Sequence, residues 1–241
     1  MKKLPIFIAL VAIILSACGA PAPVATAVPP TAAPTTVPPT AVPPTPTVDP
    51  LEEKMQADLQ KFVTDGRISS TEGEFIAFND YIADNNQLVY YSLDGGVDLP
   101  ANFVYSGHFN WSTAASSNEA SGCGLIFAGQ ENGNHYALFL DQHRIYFLRS
   151  DSSSGTSSAF ILGKAAGTGK VDFGNPAEAD FSLVVNGNHT YVYVNGDFIG
   201  QYDLVKDAPT QGKFGFSVIS GTAKDYGVHC EITNSAVWAL K

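Results

Sequence analysis

The sequence predicts an all-β domain, a two-sheet antiparallel sandwich preceded by one short amphipathic helix. Three observations predict it. Charged residues make up only 15% of the 241-residue chain, whereas Gly (22), Tyr (10) and Phe (15) are plentiful. That balance disfavours a charged helical bundle and favours strands and turns. Beyond Gly66 the chain breaks into about a dozen short apolar runs, too many for one open sheet without curling or splitting. Within the runs, apolar residues alternate with polar or aromatic ones, as in strands with one inner and one wet face.

The chain opens on Met1-Lys2-Lys3, and Leu4–Ala17 is an uncharged, mostly apolar run of 14 residues. This is short for a membrane span of about 20 residues but suits the apolar core of a signal peptide. Leu15-Ser16-Ala17-Cys18 resembles the bacterial lipobox. The resemblance implies export of residues 1–17 as a signal peptide and lipid attachment at Cys18. Two acyl chains there would anchor stably, at about 0.8 kcal/mol per buried methylene. Residue 19 is Gly rather than Asp, so nothing resembles an inner-membrane retention signal. Of the 15 prolines, 11 fall between Gly19 and Pro50, a stretch with Asp49 as its single charge. Residues 18–50 therefore read as a Pro/Thr/Ala-rich disordered tether, stiffened towards polyproline II. At about 3.1 Å per residue it reaches on the order of 100 Å. The location expected is extracytoplasmic, lipid-anchored to a bacterial cell membrane and surface-exposed.

The net charge is −10, and residues 51–241 carry 11 basic and 22 acidic side chains. That acidity argues against nucleic acid and against anionic lipid as partners, leaving contact with the membrane to the lipid anchor alone.

Residues 51–66 form the helical segment. Leu51, Met55, Leu59, Phe62 and Val63 recur at helical spacing, with charged residues between them. Asp49-Pro50 supplies a cap and a first-turn proline, and Asp65-Gly66 a stop. The helix, over about 51–64, is expected to dock on its own domain.

Residues 67–241 form the sandwich. Asn186-Gly187-Asn188 and Asn195-Gly196 mark tight hairpins, giving a meander of 181–185, 189–194 and 198–204. Further strands are expected near 74–80, 87–93, 103–111, 123–129, 135–140, 144–149, 158–163, 212–220 and 229–239. Phe103, Tyr105, Phe109 and Trp111 share one parity, opposite Val104, Ser106, His108 and Asn110. Tyr136, Leu138 and Leu140 form another such row, as do Val192 with Val194 and Phe214 with Phe216 and Val218. With Cys18 assigned to lipid, Cys123 and Cys230 remain, each sharing parity with apolar neighbours. A disulfide between them is expected in an exported protein, with two buried thiols as the alternative.

Five segments, in order, carry a family resemblance: Gly122-Cys123-Gly124-Leu125-Ile126-Phe127, Asn134–Leu140, Tyr191–Gly196, Gly212–Phe216 and Cys230–Trp238. With Ile68–Glu74 before them, they resemble the concanavalin A-like lectin/glucanase superfamily. The nearest branches are the laminin-G and 3-keto-disaccharide-hydrolase types, in surface lipoproteins of filamentous, Chloroflexus-type bacteria. Over roughly 68–240 the resemblance implies a jelly roll of two curved sheets, often with a glycan or protein site on the concave face or rim.

The resemblance does not extend to catalysis. Glucanases of this superfamily place alternate carboxylates on one strand as nucleophile and acid/base, and no such run occurs here. Glu72 and Glu74 read as edge charges, and Glu178 and Asp180 as loop charges. No nucleophile elbow, triad order or phosphate loop is present, and no catalytic residue is assigned. Neither is a metal residue or cofactor. Asp141, beside Gln142 and His143, could lend a calcium ligand, but a plain hairpin turn is the better reading. A sugar site needs an aromatic platform and planar hydrogen-bonding groups. The candidates are Tyr191, Tyr193 and Asn195 on one strand, His108 and Asn110 on another, and Arg144 with Tyr146 on a third. The expected function is a non-catalytic recognition module for glycan or cell-envelope polysaccharide. A carbohydrate-active hydrolase and a structural envelope lipoprotein are the alternatives.

Overall fold

The computed structural model describes residues 49–88, 94–116, 118–151, 156–162 and 171–241. Residues 1–48, and with them the expected signal peptide, Cys18 and nearly all of the expected tether, lie outside that set. Helix α1 (Pro50–Thr64) comes first. Asp49 caps it, its carboxylate accepting from the Leu51 amide at 2.8 Å, and Pro50 opens the first turn.

Thirteen strands follow among the described residues. They are β1 (Gly73–Ala77), β2 (Tyr81–Asn85), β3 (Asp94–Leu99), β4 (Phe103–Thr113), β5 (Gly122–Gly129), β6 (His135–Leu140), β7 (Ile145–Asp151), β8 (Thr156–Leu162), β9 (Ala177–Asn186), β10 (His189–Val194), β11 (Asp197–Asp203), β12 (Gly212–Ile219) and β13 (Val228–Leu240). One sheet runs β1-β13-β4-β9-β10-β11, with β2 also against β13. The other runs β3-β12-β5-β6-β7-β8. All these pairings are antiparallel. The chain passes repeatedly between the two sheets, giving the jelly-roll sandwich that the alternation and strand count predict.

The inner faces are those read from parity. Phe103, Tyr105, Phe109 and Trp111 lie in one buried core with Leu125, Phe127, Tyr136, Leu138, Phe147, Phe181, Phe214 and Phe216. Rings meet across the gap between sheets: Phe103 lies 6.0 Å from Phe127 and 5.8 Å from Phe214, and Tyr105 lies 5.4 Å from Phe214. Gly107 is required at its place, because a Cβ there would sit 2.3 Å from the Tyr105 hydroxyl. The β10–β11 turn is Asn195-Gly196 with φ of 50° and 81°, the pair of left-handed residues a type I′ hairpin needs.

Three strand expectations change. The run near 74–80 is two strands, because the edge breaks at Phe78–Asp80 and resumes as β2. Of the strand expected near 87–93, residues 89–93 lie outside the described set, and Gln87 and Leu88 belong to no strand. The edge is formed instead by β3, whose Asp94, Gly95, Gly96 and Asp98 dilute the apolar signal. Glu178 and Asp180 stand on β9, not in a loop.

Cys123 and Cys230, separated by 107 positions in sequence, form a disulfide joining β5 of one sheet to β13 of the other, with Cα atoms 5.3 Å apart. Replacing both by Ala is expected to lower stability by about 2–4 kcal/mol, read as a lower urea midpoint. The hydroxyls of Tyr105 and Ser235 are both buried without a hydrogen-bond partner, and burial pushes the Tyr105 phenol well up. Tyr105→Phe is therefore expected to raise stability by about 1 kcal/mol, seen as a higher midpoint in the same titration.

Candidate functional site

Helix α1 decides the fate of the predicted aromatic face. It lays Met55, Leu59 and Phe62 on the outer row of the first sheet, formed by Val104, Val184, Tyr191, Tyr193, Ala236 and Trp238. Tyr191 is 9% exposed and Tyr193 2%. The Phe62 ring packs 4.9 Å from that of Tyr193, and Lys61 donates to the Gly196 carbonyl. Arg67 lies over both Tyr191 (4.6 Å) and Phe198 (4.5 Å), while its Nε donates to the Tyr193 hydroxyl at 3.3 Å. The expectation that these tyrosines face solvent is corrected: the sheet is amphipathic on both faces, and the helix covers the second. Each of the three helix side chains contributes about 1.5–3 kcal/mol on burial, which makes the helix a fixed third layer.

The other candidates divide between the sheets: His108 and Asn110 share the outer face of the first sheet with the two tyrosines, and Arg144 and Tyr146 lie with the second. Asn195 is engaged with β9, its side chain accepting from the Asp180 amide at 2.9 Å. His108 pairs through Nδ1 with Asp180 at 3.0 Å, and Lys54 reaches the same carboxylate at 3.7 Å. Asn110 is exposed between Glu231 and Glu178 on the neighbouring strands. Arg144, beside the start of β7, and Tyr146 on it belong to the other sheet, so the seven residues never share a face. Arg144 holds the buried Asp141, with Nη2 at 2.8 Å and Nε at 2.9 Å. The second Asp141 oxygen accepts the His143 and Arg144 amides, closing the turn. Among the described residues, no group of three acidic, histidine or cysteine side chains is placed to hold a metal ion.

Two clefts remain. One, of about 670 Å³, lies at the rim between the β5–β6 turn and the start of β12, lined by Asp98, Gln130, Glu131, Asn132, Gln211 and Lys213. Several of its polar groups already serve one another. Lys213 bonds Asp98 at 2.7 Å, and the Gln130 amide donates to the Ala128 and Gln211 carbonyls at 3.1 and 2.7 Å. No aromatic residue lines it.

The second cleft, about 390 Å³, opens at the side of the sandwich and is lined by Phe78, Asn79, Asp80, Tyr81, Val97 and Phe216. The break between β1 and β2 builds it. Opposite that break β13 shifts register between Thr233 and Ala236, with Asn234 at φ 48°, and the Ser235 carbonyl accepts the Phe78 amide at 2.9 Å. The kinked edge swings Phe78 and Tyr81 against the other sheet. Phe78 lies 5.4 Å from Phe214 and from Phe216, and Tyr81 lies 5.4 Å from Phe216. Asn79 and Asp80 stand exposed at the mouth. This cleft joins apolar ring surface to an amide and a carboxylate. Sequence reading missed it by carrying one strand through 74–80; the signal was Asn79-Asp80, a turn pair between two aromatics.

No protein-family model matches the sequence, and no curated protein does. Solved structures are distantly similar. A carbohydrate-binding module, CBM66 from Bacillus subtilis, is 11% identical, with a TM-score of 0.40, over 70% of this chain and 92% of that one. A fructosyltransferase from A. japonicus is 16% identical, with a TM-score of 0.42, over 69% of this chain, which spans 26% of the enzyme. A galectin from Caenorhabditis elegans is 13% identical, with a TM-score of 0.38, over 67% of this chain and 98% of the galectin.

Docking of α1 half-buries Asp58 above the sheet. Burial raises its pKa, outweighing Lys54 and Lys61, and Asp180 adds to the rise. A raised folded-state pKa means that protonation favours the folded state, a contribution lost as pH rises through that pKa. Asp58→Asn is therefore expected to be more stable than the parent at neutral pH. The advantage should shrink as pH falls through that raised pKa and be gone below about pH 4, as thermal melts across pH would show.

Proposed function

We propose that residues 51–241 form an extracytoplasmic carbohydrate-binding domain whose sugar site is the side cleft at Phe78, Asn79, Asp80, Tyr81 and Phe216. The observation that carries this reading is the pairing of ring surface with an amide and a carboxylate in one cleft. A pyranose offers an apolar face of C–H bonds and a rim of hydroxyls. The rings take the first, and Asn79 and Asp80 take the second. Stacking on a ring is sequence-tolerant and shallow, which suits a polymer held along its length. The lipobox-like Leu15-Ser16-Ala17-Cys18 and the proline-rich residues 18–50 complete the proposal: a lipid on Cys18 anchors the protein to the membrane, and the tether holds the domain away from it. The reading is of a retaining surface module without catalysis.

The test is retention of labelled, full-length protein in detergent on an array of plant, bacterial and host glycans. Tyr81→Ala is expected to weaken the best-retained glycan about two- to tenfold, the scale of one aromatic stacking contact, and Tyr81→Trp to preserve it. Gln130→Ala, in the rim cleft, is expected to change nothing. Retention of no glycan, or equal loss through Gln130→Ala, would overturn the assignment.

A further inference from the structure

We infer that the side cleft selects sugars bearing a free, positively charged amine over neutral, N-acetylated or acidic ones. This rests on the reading of the cleft as a sugar site. The inference begins with the acidic residues along this edge of the sandwich. Asp84 on β2 bonds Nδ1 of His229 at 2.8 Å. Asp98 on β3 bonds Lys213 at 2.7 Å. Asp80, between β1 and β2, lines the cleft with Val97 of β3, and among the described residues no basic group pairs with it. No Lys, Arg or His lines the cleft at all.

Three features then favour a cation beside Asp80. Its carboxylate accepts hydrogen bonds and donates none at neutral pH, so an ammonium matches it better than a hydroxyl. Aromatic rings line the cleft, and a cation over an open ring face is attracted by the negative part of its quadrupole. The excess of acidic over basic residues in the folded domain raises the local concentration of cationic ligands and repels uronates. An amine-bearing pyranose satisfies all of these at once. Its C–H face lies on the Tyr81 ring, its ammonium meets Asp80, and a hydroxyl is left for Asn79. Acetylation of the amine removes the charge and its hydrogen bond to the carboxylate.

The experiment compares oligosaccharides of equal length titrated calorimetrically into the full-length protein in detergent: β-1,4-linked glucosamine, its N-acetylated counterpart, and the neutral glucose oligomer. The amine form is expected to bind tenfold or more tighter than either, in line with a hydrogen bond to a charged group. Asp80→Asn is expected to reduce that preference to about twofold or less with an unchanged melting temperature. Asp197→Asn, an exposed acidic change elsewhere, controls for general attraction between a polycation and an acidic protein and is expected to leave the preference intact. Equal loss through Asp197→Asn would overturn the inference. Equal binding of all three oligomers, weakened together by Tyr81→Ala, would also overturn it while leaving the sugar site standing. Binding of none of them would overturn the inference and leave the sugar site to the glycan array; binding indifferent to Tyr81→Ala would overturn the sugar site as well.

Discussion

Everything in this domain hangs on the contact of aromatic rings across the gap between two sheets, tied by one disulfide. The rings of β4 reach those of β5 and β12 within about 6 Å, and large planar side chains fill the space at the density a protein interior requires. The Cys123–Cys230 bridge lies within the same core and fixes β5 to β13. Strand β13 is the hub. It pairs with β4 along one side and with β1 and β2 along the other, so its position determines the whole edge.

A sandwich of two layers would leave both outer faces wet. Here one outer face carries an apolar row, Val104, Val184, Tyr191, Tyr193, Ala236 and Trp238, and helix α1 closes it. The consequence is functional as well as structural. Aromatic residues that alternation places away from the core, Tyr191 and Tyr193 among them, become a second interior. Arg67, resting on Tyr191 and Phe198, fastens the segment that leaves the helix.

The cleft that fits a sugar arises where regular pairing fails. A single irregularity in β13 forces the edge to break between β1 and β2, and the break turns two aromatic residues sideways. β-Bulges commonly re-aim side chains in this way. The rim cleft is larger, but several of its polar groups already serve one another, and no aromatic ring lines it.

The sequence by itself determined the class of fold, the inner face of most strands, the helix with its caps, the hairpin at Asn195-Gly196 and the cysteine pair. These depend on local physics: two-residue alternation, helical spacing, left-handed turn residues and the parity of neighbours. It also carried the lipobox-like motif and the proline-rich tether. Which outer faces are wet depends on packing across the fold, because α1 and the strand bearing Tyr191 and Tyr193 are more than a hundred residues apart. The tertiary structure likewise decided that Tyr146 lies on a different sheet from His108, and that Phe78, Tyr81 and Phe216 converge. Alternation says which residues share a side of a strand. Which strands meet, and what covers them, is settled by long-range packing that no local pattern encodes.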